Sequence, residues 1–137
     1  MSLPNPYAQY RQNSIETASP TRLVVMLYDG AIRFLTQALA AMEAKQHAQQ
    51  SVLIGKAQNI IAHLHDTLDA DTGSAFASSL TGIYTALLRT LTQANIENQP
   101  KPVENALEIL RELRETWAEV ERQCREGKPQ GRELVAA

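Results

Sequence analysis

Apolar residues recur along most of this chain at the three- and four-residue spacing of helices, in four blocks separated by turn chemistry. Ser19-Pro20 opens the first block. Serine accepts from the free amides of a first helical turn, and proline at the first helical position loses no hydrogen bond. The pattern predicts helices over residues 20–44, 51–69, 74–97 and 102–125. The breaks are Lys45 to Gln50, inferred from loss of pattern, then Asp69-Ala-Asp71-Thr-Gly73 and Asn98-Gln-Pro100-Lys-Pro102, which carry breaker residues. Residues 1–18 form an N-terminal arm or short cap helix, with Leu3, Tyr7, Tyr10 and Ile15 too sparse for a continuous amphipathic helix and with Pro4 and Pro6 among them. After Cys124, Arg-Glu-Gly-Lys-Pro-Gln-Gly ends the pattern, so residues 126–137 are expected to be a flexible tail beyond a bundle of residues 19–125.

Projected at 100° per residue, the blocks differ. In the second, Leu53, Ile54, Ala57, Ile60, Ile61, Leu64 and Leu68 share an arc of roughly 120°, the width of one buried face. The fourth sets Val103, Ala106, Leu107, Leu110, Leu113, Trp117, Val120 and Cys124 against a charged outer face of Glu104, Glu108, Arg111, Glu112, Glu115, Glu119 and Arg122. The third has a core side of Phe76, Ala77, Leu80, Ile83, Tyr84, Leu87, Leu88 and Leu91. Its outer side is small and neutral: Ser78, Ser79, Gly82, Thr85, Thr90 and Thr92, with Arg89 its one charge. The first is the outlier, with Leu23, Val24, Val25, Leu27, Tyr28, Ala31, Ile32, Phe34, Leu35, Ala38, Leu39 and Met42 spread over roughly 200°. Short links make an all-α, antiparallel up-and-down four-helix bundle the simplest architecture, and in it each helix has two neighbours. The surplus on the first helix, expected around Leu23, Val25 and Phe34, must then be covered by the arm, a second subunit or a client. Gly30 marks either a close approach by another chain or a tight helix contact.

Composition narrows the function. With 137 residues, 44% apolar and 5% aromatic, the chain can bury one helical core without disulfides or metal. A net charge of -2 gives no basis for nucleic-acid binding. No segment approaches a membrane span of roughly 18 apolar residues, and no leader pattern begins the chain, so a cytoplasmic protein without membrane insertion is expected. The single cysteine, Cys124, fits a reducing compartment. Catalysis has no candidate residues. His63 and His65 stand on opposite sides of a helix and cannot chelate one ion. His65 with Asp69 is half a site at most, and Asp69-Ala-Asp71-Thr-Gly73 lacks the acidic twelfth position of a calcium loop, which here is Leu80. No metal, cofactor or phosphate-binding motif is expected.

The stretch from Tyr10 to Leu35, YRQNSIETASPTRLVVMLYDGAIRFL, resembles the flagellar secretion chaperones of the FliS family. Thr17-Ala-Ser19-Pro20, Leu23 and Leu27-Tyr-Asp-Gly-Ala-Ile32 have the family's spacing, with Tyr10 and Ile15 upstream. Further similarity lies at Lys56–Ile61, Leu80–Tyr84, Leu91–Asn95 and Leu110–Trp117; the Thr-Gly73-Ser-Ala turn departs from the paired glycines and acidic residue usual there. The resemblance covers residues 5 to 120. It implies a cytosolic four-helix bundle, free of cofactors, that binds the C-terminal region of flagellin, keeps it from polymerising early and helps deliver it to export-gate components of the flagellar type III apparatus. A monomer pairing one to one with its client is expected.

Pattern and resemblance together predict a client-binding and lid set of Tyr7, Tyr10, Ile15, Leu23, Val25, Met26, Tyr28, Asp29, Gly30, Phe34, Leu80 and Tyr84. The competing reading is a homo-oligomeric structural or adaptor bundle in which the same surplus is a subunit face.

Overall fold

The computed structural model describes residues 19–68 and 75–127. Four helices follow in order: α1, Pro20–Glu43; α2, His47–Thr67; α3, Ala75–Glu97; and α4, Pro100–Arg125. The described residues contain no strand, and the bundle expected from the apolar pattern is the architecture observed. The helices stand in a ring, α1 beside α2 and α4, and α3 beside α2 and α4, with the α3–α4 seam the most open. Antiparallel pairing of α2 with α3 is visible in the side chains: Gln50 reaches Asn95 and Asn98, while two turns on Gln58 Nε2 donates to the Leu88 carbonyl and to Thr92 Oγ1.

Ser19 caps α1 as its chemistry predicts, Oγ accepting from the Arg22 amide at 3.1 Å ahead of Pro20. The link to α2 is shorter than expected. Lys45 takes a left-handed conformation, φ 57°, that turns the chain back, and α2 already begins at His47 rather than at 51. Its first turn is fixed by polar contacts: Gln50, buried, donates from Nε2 to Asn95 Oδ1 at 2.9 Å and to Asn98 Oδ1 at 3.0 Å. The fourth helix likewise begins two residues before the expected 102, with Pro100 in its first turn and Asn98, φ 55°, making the bend.

The core is continuous from end to end. Tyr28, Ala31, Leu35 and Ala38 of α1 meet Ile54, Ala57, Ile61 and Leu64 of α2, Leu80, Tyr84, Leu87 and Leu91 of α3, and Val103, Leu107, Leu110 and Val120 of α4. The outer face of α4 is solvated, as its charges require.

Candidate functional site

Of the four helices, α1 carries the most half-buried large apolar residues, Leu23, Met26 and Phe34 among them, whereas the exposed ones stand singly on the other three. Contrary to the expectation that no segment approaches a membrane span, α1 matches one by length and composition, with mean hydropathy 1.4 over its best window, 33% of which is buried. The fully buried Tyr28 and Leu35 make it instead the central helix of the bundle core. Its half-buried residues divide between flanks. Toward α2 lie Leu27 and Phe34, packed against the core by part of their surface, while Leu23 and Met26 are half-buried outside the core cluster. The other flank packs against α4, and at its exposed rim Arg114 Nε of α4 donates to Asp29 Oδ1 at 2.8 Å. That contact pushes the Arg114 pKa up, chiefly through the hydrogen bond to Asp29.

The predicted residues therefore separate by role. Val25, Tyr28, Leu80 and Tyr84 belong to the core cluster. Val25, expected on the surplus surface, is only 1% exposed, one turn before Asp29 on the flank that α4 closes. Gly30 is buried at the α1–α2 seam, where an added Cβ would stand 3.1 Å from Ile60 Cδ1; of the two readings of this glycine, the tight helix contact is the one present. Leu23, Met26 and Phe34 retain solvent-facing apolar surface, and Asp29 is exposed but paired. Tyr7, Tyr10, Ile15, the turn at 69–74 and the tail beyond 127 lie outside the described residues.

Across the bundle, the outer side of α3 carries Ser78, Ser79, Gly82, Thr85 and Ala86, all exposed. The Thr85 hydroxyl donates to the Thr81 carbonyl at 2.9 Å, and Thr81 Oγ1 to the Ala77 carbonyl at 3.0 Å. With the Thr85 hydroxyl satisfied within the helix, the strip is small and uncharged around Gly82. Nothing lies within 4 Å of where a Gly82 Cβ would be. Gly82→Ala is accordingly expected to raise stability by about 0.5–1 kcal/mol through helix propensity alone. If this strip holds a close-packed partner helix, the same change weakens that partner's binding, and a thermal melt beside a binding titration reads the two effects separately.

Sequence reasoning did not anticipate Arg33 and Lys56, whose charged ends stand 5.4 and 5.5 Å from the centre of the Phe34 ring, or Arg114 as the partner of Asp29. The first could have been found by pairing α1 with α2 about Gly30, because antiparallel register then sets residue 56 opposite residue 34. Exposed Val52, Ile96 and Ile109 also escaped notice, standing off the apolar faces that the periodicity picks out. Between α3 and α4 an open groove of about 310 Å³ is lined by Arg89, Thr90, Gln93, Ala94, Glu97 and Pro102. Its walls carry no nucleophile with a base beside it. The half-buried His65 places Nδ1 3.4 Å from Asp66 Oδ1, and no three His, Cys, Asp or Glu side chains converge among the described residues.

The family model described as flagellar protein FliS matches residues 3–124. The flagellar secretion chaperone FliS of Bacillus subtilis (strain 168) is 34% identical over 130 residues, covering 93% of this chain and 96% of that one. The flagellar secretion chaperone FliSB of Pseudomonas aeruginosa is 35% identical over 113 residues, covering 80% and 90%. The crystal structure of a flagellar chaperone from bacteria shares the fold, with a TM-score of 0.70 at 19% identity over 89% of this chain and 96% of its own. A match across nearly the whole bundle, joined to relatives above 30% identity, places this chain in the FliS family of flagellar secretion chaperones.

Proposed function

We propose that this protein is a cytoplasmic export chaperone that binds the C-terminal segment of flagellin, prevents its premature polymerisation and assists its delivery to the flagellar type III export apparatus. The observation that carries the reading is the uncovered apolar surface of α1 at Leu23, Met26 and Phe34. An unassembled filament subunit has an amphipathic segment whose apolar face drives self-association, and a helical groove offers that face a substitute. The chaperone acts by this exchange of surfaces and needs no catalytic group or cofactor.

Geometry constrains how the client sits. The surfaces of α1 and α3 stand at opposite corners of the ring. One client helix cannot cover both, so the segment that uses them folds along one and wraps to the other, as a chain that is disordered when free is able to do. Residues 1–18, with Tyr7, Tyr10 and Ile15, serve as a lid over part of the surface before the client arrives. The complex is one to one, and export-gate components receive it.

Co-expression with the C-terminal segment of the cognate flagellin is expected to yield a complex of one chain each through affinity and size-exclusion steps. Failure of the segment to co-purify overturns the proposal. So does a stable homodimer that ignores it, which would favour the subunit-face reading of α1.

A further inference from the structure

At the α1–α2 seam, two cations attend a single aromatic ring. Phe34 is half-buried and packed on the core, with Arg33 Cζ over its ring at 5.4 Å and Lys56 Nζ at 5.5 Å. Both cations are exposed, and neither forms a salt bridge with a carboxylate among the described residues. On α4, by contrast, Lys101, Arg114, Arg122 and Arg125 each have an acidic neighbour. The ring quadrupole holds the two positive ends near its face without neutralising them. Both positive ends flank the half-buried ring, so an anion brought to its exposed edge is attracted by each. The chain as a whole is negative, so this is a local feature rather than part of a basic field.

We infer that Arg33 and Lys56 are specificity-determining residues of the client surface, taking a side-chain carboxylate of a client helix whose neighbouring apolar side chain covers Phe34. The inference rests on the client-binding reading and deepens it: the preferred client helix is apolar on one face with an acidic residue one turn from its anchor. Residues three or four apart on a helix stand about 5–6 Å from each other at Cβ, the reach needed to set an anchor on Phe34 and a carboxylate beside it. Arginine accepts such a group in a paired geometry, and lysine adds a point charge.

The test titrates the full chain with the flagellin C-terminal segment at about 0.1 M and about 1 M salt, between which the screening length falls from about 10 to about 3 Å. Arg33→Gln/Lys56→Gln is expected to keep its helicity, to bind about tenfold more weakly at low salt, and to converge with the wild type at high salt. Arg33→Lys/Lys56→Arg should keep most of the affinity. Glu or Asp to Gln changes along the client should reveal one position whose loss matches that of the double variant and does not add to it. Unchanged affinity and salt dependence in the double variant overturns the inference while leaving the chaperone reading intact. A wild type that never binds the segment removes both. A wild-type dimer that the double variant dissolves, with client affinity unaltered, assigns the cations to a contact between copies and also overturns the inference.

Discussion

Replacing Leu35 with alanine is expected to lower the free energy of unfolding by about 3–4 kcal/mol, whereas replacing its neighbour Phe34 should cost only about 1 kcal/mol. Leu35 has no exposed surface, and one turn to either side stand Ala31 and Ala38, also fully buried. Alanines have no atoms to swing into the space, so a cavity remains and the cost lies above the lower end of the range for such changes. Against a total stability of about 5–15 kcal/mol the loss is large, and the melting temperature should fall by about 10 °C. Phe34 is half-buried, and water can fill the space it leaves. Its loss should instead appear in binding, as a weakening of at least about tenfold toward the flagellin segment, the effect of removing an aromatic anchor. Trp117 is the single tryptophan, so its fluorescence follows unfolding in both variants. Equal destabilisation by the two changes, with client affinity intact, would make Phe34 a core residue and remove it from the proposed surface.

The contrast between these two adjacent residues marks how far the sequence could be read. A 200° apolar arc on α1 implies roughly that more surface exists than two neighbours can cover. It does not say which edge is surplus. Val25 and Phe34 lie at opposite edges of that arc, and α4, with Arg114 paired to Asp29 at the rim, packs on the Val25 side. The partner of Asp29 sits 85 residues away in a helix rich in arginine, and periodicity within one helix carries no information about that choice. In α4 the reading was nearly complete, because a strongly charged outer face leaves one orientation for the apolar one. The start of α2 was hidden for the opposite reason. Its first turn is held by Gln50 against Asn95 and Asn98, and a residue buried through its amide looks like a loop residue to a hydrophobic pattern. Family resemblance supplied what periodicity lacked, chiefly through the motif from Leu27 to Ile32, where Tyr28 and Gly30 prove to be packing residues and Asp29 an ion-pair residue.

The diagonal of the bundle offers the second large effect. Tyr28 of α1 and Tyr84 of α3 join hydroxyl to hydroxyl in the core, and Trp117 of α4 lies beside Tyr28 with its buried Nε1 lacking a hydrogen-bond partner. Within this pair one hydroxyl donates and the other accepts. Tyr28→Phe leaves the Tyr84 hydroxyl stranded and should cost about 2–3 kcal/mol, whereas Tyr84→Phe should cost about 1–2 kcal/mol. Removing both hydroxyls strands neither, so the double variant should be no worse than Tyr28→Phe alone, a coupling of about 1–2 kcal/mol in urea unfolding. Additivity within about 0.5 kcal/mol would show that the hydroxyls do not hold each other. The same pair sets an alkaline limit. Burial pushes both tyrosine pKa values above the ordinary 10.0, and at Tyr28 the adjacent Tyr84 adds to the rise. A folded-state pKa raised in this way keeps the phenols neutral in the native protein while they ionise in the unfolded chain. The resulting stability is fully present below pH 10 and is lost as pH rises beyond it, by about 1.4 kcal/mol per pH unit for each tyrosine. The double phenylalanine variant has no such groups to ionise, so its stability should decline less steeply than that of the wild type between pH 10 and 11.5, and parallel declines would mean that the pair does not set the limit.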